Sequence, residues 1–488
     1  MPVLKGKELR IIGFLCNWCS YGGADTAGVG RFTQPTDLRI IRVPCSGRVD
    51  PLFIVKSLLN GADGVLVSGC HPRDCHYSQG NFYARRRLEV LKQFLPILGI
   101  DPKRFEYTWV SASEGPRWQK VVTAFTEQVH ALGPAPRHEG IALPASVASL
   151  AGQNGAGALP VAADSPATLD ALKARIKAEL PNLDVVIGWQ KGFDPIHATP
   201  LFMRTPEDVD KLVWGPLNVH NPATYLTGLR GKKVGVVVKG CDSRSVVELL
   251  QEKLIDRDKV VVFNMPCSGI VDVEKIGKSL EAAGTGLGYV ESVEAGNGTV
   301  TVTADGTAHA FKLADIAADK CLHCRYPAAV LSDHSLGESP TAAASANAEP
   351  ADLAALDSMS LPERMAFWRY HMDRCIRCHA CRNACPLCVC RDHCIAQSRD
   401  PLWISQNDSV TEKLMFQIVH AVHLSGRCTE CGECQRACPM DIPILALKRQ
   451  MNRIIWELFE YRAGTDLQAT PPLLAFQVDE KNIHEGSL

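Results

Sequence analysis

A chain of 488 residues is long enough for roughly two to four domains, each with its own core. Its formal net charge of −1, without a Lys/Arg block, gives no reason to expect nucleic acid as a partner. No stretch approaches the roughly eighteen apolar residues of a membrane helix, and the apolar run in MPVLKGKELRIIGFLCNWCS is too short for the h-region of a signal peptide.

The expectation is a cytoplasmic protein without a membrane span. In that compartment the 20 cysteines are better explained by metal than by disulfides. They fall into groups of five, four, seven and four along the chain.

Residues 1–134 alternate short apolar runs (Leu9–Leu15, Leu38–Val43, Gly64–Val67, Phe105–Val110) with helical patterns (Pro51–Asn60, Asn81–Leu98, Pro116–Leu132). Such alternation predicts a parallel, doubly wound sheet. Cys16, Cys45 and Cys70 end three of its strands, with Cys19 and Cys75 in the following loops. Ligands of open α/β sheets bind beyond the carboxyl ends of the strands, so these thiols converge on one site. Two other readings stand beside this one. The strand-end cysteines would serve as small buried hydrophobes, or Cys16-Asn17-Trp18-Cys19 would be a thioredoxin-like pair; against the latter, Gly22-Gly23 follows where a helix should open.

The runs CNWCSYGGAD from Cys16, VPCSGRVDPLFIVKSLLNGADGVLVSGCHPRDCHY from Val43 and WVSASEG from Trp109 resemble the delta subunit family of methyl-viologen-reducing hydrogenases over nearly all of residues 1–134. The resemblance implies a [2Fe-2S] protein. It would pass electrons between a heterodisulfide-reductase-like flavoprotein and a hydrogenase or formate dehydrogenase catalytic subunit. Five cysteines serve four ligand places; strand position favours Cys16, Cys45, Cys70 and Cys75, leaving Cys19 as the odd member.

Residues 135–168, rich in Ala, Gly and Pro, read as a linker. A second α/β unit, 169–334, opens with a helix over Pro166–Leu180 and strands at Asp184–Trp189, Lys233–Val238 and Lys259–Asn264, the last two ending near Cys241 and Cys267. The heptad Pro44-Cys45-Ser46-Gly47-Arg48-Val49-Asp50 recurs as Pro266-Cys267-Ser268-Gly269-Ile270-Val271-Asp272, an internal repeat of a cluster-holding turn. Beyond a β-hairpin expected at Gly296–Phe311, Cys321 and Cys324 complete a four-thiolate set with Cys241 and Cys267 for a third [4Fe-4S] cluster. A structural zinc, or an unoccupied C-x-x-C with two core cysteines, is the competing reading of that set. Lys239-Gly240-Cys241-Asp242-Ser243-Arg244 and the CLHC pair also resemble, more loosely, the beta subunit family of deazaflavin-reducing hydrogenases. That implies FAD on this chain or on a partner, although no G-x-G-x-x-G follows a strand here.

Low-complexity residues 335–358 read as a second linker. Within 359–462, C-x-x-C-x-x-C-x-x-x-C-P occurs twice, as Cys375, Cys378, Cys381, Cys385 and as Cys428, Cys431, Cys434, Cys438. This is the bacterial ferredoxin spacing for two [4Fe-4S] clusters, each run giving its fourth thiolate to the other cluster. One set is therefore Cys375, Cys378, Cys381 and Cys438; the other is Cys428, Cys431, Cys434 and Cys385. Cys388, Cys390 and Cys394 depart from a simple ferredoxin and stay open as metal ligands, replacement ligands or packed thiols. A helix over Pro443–Tyr461 follows, and the tail 463–488 carries no chemical signal.

The fold expected is α/β: two doubly wound parallel-sheet cluster domains, then a small α+β ferredoxin-like domain with C-terminal helices. The chain lacks an adjacent Cys-Cys-Gly and the paired C-x-x-C motifs of a nickel-iron hydrogenase's large chain. It reads as an iron-sulfur electron-transfer subunit, the alternative being a flavin-dependent reductase of a deazaflavin, nicotinamide or quinone-like acceptor.

Overall fold

The computed structural model describes residues 9–136, 157–161, 168–296, 298–390, 393–398, 400 and 402–483. Most of the linker expected at 135–168 lies outside them. Strands β1 (Ile11–Cys16), β2 (Leu38–Val43), β3 (Gly64–Gly69) and β4 (Phe105–Trp109) form one sheet in the order β2-β1-β3-β4, every pair parallel. β3 is buried throughout, as a strand covered on both faces must be, whereas the edge strand β2 is largely exposed.

The covering helices are α1 (Ser20–Val29), α2 (Pro51–Leu59), α3 (Gly80–Phe94) and α4 (Gly115–Leu132). Leu15, Leu66 and Trp118 form the core under α1 and α4, while Val65, Val67, Val55 and Leu91 form the core under α2 and α3. The sheet is thus doubly wound. α1 corrects the sequence reading, because Gly22 and Gly23 do not prevent a helix from opening after Cys19. A Cβ on Gly23 would stand 2.8 Å from the Ser111 carbonyl oxygen, so the glycines let α1 lie close against the loop after β4.

A second sheet takes β5 (Val185–Lys191), β6 (Ala198–Met203), β7 (Val234–Val238) and β8 (Val260–Asn264), with β6 antiparallel to β5 and the other pairs parallel. The hairpin expected at Gly296–Phe311 is a three-stranded antiparallel sheet of β9 (Val290–Gly296), β10 (Thr299–Ala304) and β11 (Thr307–Lys312). Asp305 and Gly306 both take positive φ at the β10–β11 turn, as a type I′ hairpin requires. The short β12 (His334–Ser335) adds to β8, so residues 335–358 start in a sheet and end in the helix Ala351–Ser358, whose Leu353 and Leu356 are buried.

The ferredoxin unit is built on the helices Leu361–Asp373, Val410–Val422 and Ile444–Phe459, with no strand among its described residues in place of the α+β arrangement expected. Its core is continuous with the α2/α3 face of the first unit. Trp368 is fully buried there and donates from its indole to the Ile97 carbonyl at 2.8 Å; such a side chain contributes roughly 3–5 kcal/mol relative to Ala. At the same contact Gly99 has φ +79°, and a Cβ would fall 2.3 Å from the Leu361 carbonyl.

The tail, silent in the sequence, also packs. Phe476 stacks on Phe82 at 4.8 Å, and the buried Arg86 guanidinium forks onto Glu480. Extended backbone held by side chains of other elements leaves no periodicity to read.

One buried contact ties stability to pH. Glu248, fully buried on the helix Gly240–Gln251, accepts from the Tyr461 hydroxyl at 3.3 Å, and its other oxygen has no partner. Burial, then the neighbouring Glu252, push its carboxyl up from 4.5 to about 8, so it is neutral at pH 7. The folded state holds this proton more tightly than the unfolded chain, so the stability it confers is complete below about pH 4.5 and is lost by about pH 8. Glu248→Gln should abolish that loss, leaving the variant more stable than the parent above pH 8 by roughly 2–4 kcal/mol in denaturant titrations run across pH.

Candidate metal centres

The first unit delivers its thiols as the sheet topology requires. Cys16 ends β1, Cys45 and Cys70 follow β2 and β3, and Cys75 lies in the loop before α3. All four are buried, with Sγ–Sγ separations of 3.6 Å for Cys16–Cys70 and 3.9 Å for Cys45–Cys75. Cys19, half-buried at the start of α1, neighbours the Cys70 thiol, so the structure brings all five expected cysteines together.

The hydrogen bond from the Cys70 thiol lowers Cys16 to about 6, while burial pushes Cys45 up to about 11. The Gly47 N–H aims at Cys45 Sγ from 3.3 Å. A Cβ on Gly80 would stand 2.5 Å from that sulfur, so α3 approaches the thiols through a residue without a side chain. The His71 ring pairs with Glu114 at 2.6 Å and the His76 ring stacks on Trp18 at 3.7 Å.

In the second unit Cys241, Cys267, Cys321 and Cys324 line one cavity. Cys241 opens the helix after β7, where a Cβ on Gly240 would lie 1.8 Å from the Tyr326 carbonyl. Only glycine lets that helix meet the CLHCRY loop. The Ile270 N–H donates to Cys321 Sγ at 3.4 Å, from the repeated heptad that also supplies Cys267. Burial pushes Cys321 up to about 11 and Cys267 and Cys324 up to about 12. The thiols are therefore protonated until a metal displaces the protons.

The third unit repeats one backbone device. Arg377 and His379 in the first run, and Glu430 and Gly432 in the second, occupy equivalent places and all have positive φ, which turns each loop so that its thiols face inward. Cys438 lies beside Cys375 and Cys381, whereas Cys385 lies beside Cys431, Cys434 and Cys428. The fourth cysteine of each run thus stands with the first three of the other. Cys378 is exposed and neighbours Cys375.

Two lysines, not singled out in the sequence, accompany these thiols. Lys448 is 1% exposed and neighbours Cys434, Cys428 and Cys385. Lys320 stands 3.9 Å from Cys241 Sγ and donates to the Cys431 carbonyl, joining the second unit's thiol site to the backbone of the third unit's second cysteine run. Their signal lay only in position: Lys320 directly precedes Cys321, and Lys448 is one lysine in an amphipathic helix.

The donor sets are all thiol, with backbone N–H groups and the Lys320 ammonium aimed at sulfur, and they suit the acid-labile chemistry of iron-sulfur clusters. Among the described residues, no three His, Cys, Asp or Glu are spaced as ligands of a single ion.

The family described as methyl-viologen-reducing hydrogenase, delta subunit, matches residues 11–133. Over 127 residues the chain is 52% identical to the iron-sulfur subunit of the F420-non-reducing hydrogenase vhc of Methanococcus voltae, covering 26% of this chain and 88% of that protein. This chain belongs to the delta subunit family. The iron-sulfur subunit of the F420-non-reducing hydrogenase of Archaeoglobus profundus is 50% identical over 26% of this chain and 93% of its own length.

The delta-family unit is also 47% identical to a stretch of one subunit of the ferredoxin:CoB-CoM heterodisulfide reductase of Methanosarcina mazei, covering 25% of this chain and 16% of that protein. Residues 231–353 match the C-terminal part of the coenzyme F420 hydrogenase/dehydrogenase beta subunit, while residues 371–442 match a 4Fe-4S dicluster domain. Both expected resemblances therefore hold. A chain of the F420-reducing [NiFe] hydrogenase complex from Methanosarcina barkeri aligns at TM-score 0.26 and 18% identity, covering 38% of this chain and 70% of that one; so weak a likeness carries no argument. No helix among the described residues is long and apolar enough to cross a membrane.

Proposed function

We propose that this delta-family protein relays single electrons between a heterodisulfide-reductase-like flavoprotein and a hydrogenase or formate dehydrogenase catalytic subunit. The observation that supports the reading is the Lys320 ammonium, which stands 3.9 Å from Cys241 Sγ and donates to the Cys431 carbonyl, bridging the second unit's thiol site and a ferredoxin loop. Cys16, Cys45, Cys70 and Cys75 would hold a [2Fe-2S] cluster. Cys241, Cys267, Cys321 and Cys324 would hold one [4Fe-4S] cluster, and the two exchanged ferredoxin sets would hold two more. When bound, such clusters supply one-electron carriers whose potentials follow charge, hydrogen bonding and burial. The chain's own contribution is to exclude water, aim N–H groups at sulfur and place Lys320 and Lys448 where added negative charge is stabilised.

A second reading rests on one observation. Arg244, Arg325, Arg449, Arg453 and Arg462 line a groove of about 220 Å³ that shares residues with the second unit's thiol cavity. The five arginines outnumber Glu349 and Glu430 in its lining and suit the phosphates of a dinucleotide, so FAD on this chain is the alternative to FAD on the partner.

Anaerobically purified protein should show no turnover with hydrogen or formate alone, become reduced when the catalytic partner is added, and contain no flavin. Turnover of either donor by the isolated chain would contradict the relay, and stoichiometric flavin would favour the second reading. Lys320→Met, which removes a half-buried cation, should lower the potential of the neighbouring clusters by roughly 100 mV in a redox titration at unchanged iron content.

A further inference from the structure

Cys388, Cys390 and Cys394 belong to none of the four thiol sets, yet they share one place. Cys390 neighbours both Cys388 and Cys394. Cys390 is exposed, whereas Cys394 is 7% exposed. All three line a cavity of about 440 Å³ that His420 also lines. His420 is 5% exposed, and neither of its ring nitrogens has a partner, so a buried polar side chain stands ready for a ligand there. The trio begins one turn past an expected cluster ligand, since the Cys388 N–H donates to the Cys385 carbonyl at 3.3 Å.

We infer that this trio is a disulfide-reducing site that draws its electrons from the adjacent ferredoxin thiol sets. Resting on the relay proposed above, the inference adds a substrate class, a disulfide of a small thiol or of a protein. The Cys390 sulfur, open to solvent, attacks the substrate disulfide, forming a mixed disulfide and releasing one thiol. Cys394, buried beside it, displaces the second thiol and leaves a Cys390–Cys394 disulfide. Two electrons, taken one at a time through the relay, and two protons return that bond to two thiols. The net change is one substrate disulfide, two electrons and two protons converted to two thiols.

The test uses the full chain, reduced anaerobically and freed of reductant, with oxidised glutathione as the small disulfide and insulin as the protein disulfide. Reoxidation of the wild-type chain by one of them should be at least about tenfold faster than that of Cys390→Ser, while reoxidation of both by methyl viologen stays the same. Cys394→Ser should accumulate the mixed disulfide on Cys390, read by peptide mass spectrometry. The disulfide that works assigns the source. Equal disulfide rates in Cys390→Ser and wild type, or an unmodified Cys390 in Cys394→Ser, would overturn the inference. So would a stoichiometric zinc that Cys390→Ser loses. Failure of the viologen exchange would instead strike the relay, because thiol trapping needs no cluster.

Discussion

Thiols grouped in fours, all but Cys378 at least half-buried, impose the central constraint on this chain. A set of four thiolates concentrates negative charge, and burial opposes that charge, as the raised thiols of Cys267, Cys324 and Cys431 show. The surroundings answer with donors. Backbone N–H groups of Gly47, Ile270 and Arg377 point at sulfur, and half-buried Lys320 and buried Lys448 lie beside the thiols. Each demands a special backbone: left-handed residues in the ferredoxin loops, glycines where a helix or loop comes within a Cβ's reach of a sulfur or a carbonyl.

The three units do not bury their cores separately. The face of the first sheet under α2 and α3 shares its core with the ferredoxin helices, and the tail crosses back to pair Arg86 with Glu480. Lys320 makes the corresponding link from the second unit to the third. Carriers exchange electrons only over short distances, so a relay needs its sites fixed relative to one another. Shared cores supply that rigidity more firmly than linkers would.

Much of this was legible in the residues. Strand-end cysteines, the repeated PCSG turn and the doubled ferredoxin spacing gave the thiol sets and the first sheet, because both depend on local pattern: alternation of apolar runs and fixed cysteine intervals. What escaped depends on contacts between distant residues. Gly22-Gly23 argued against a helix locally, while their use is close packing of α1 against the Ser111 loop. The segment after Ser335 looked featureless because its order comes from β8 and from buried Leu353 and Leu356. Lys320 and the tail were silent for the same reason.

Iron and acid-labile sulfide content of the anaerobically purified chain, with electron paramagnetic resonance of its reduced state, tests the central claim most directly. Four filled thiol sets predict about fourteen irons, two in a [2Fe-2S] cluster and twelve in three [4Fe-4S] clusters, with one rhombic [2Fe-2S] signal. About eight irons and no such signal would contradict the account, leaving only the ferredoxin unit as a carrier.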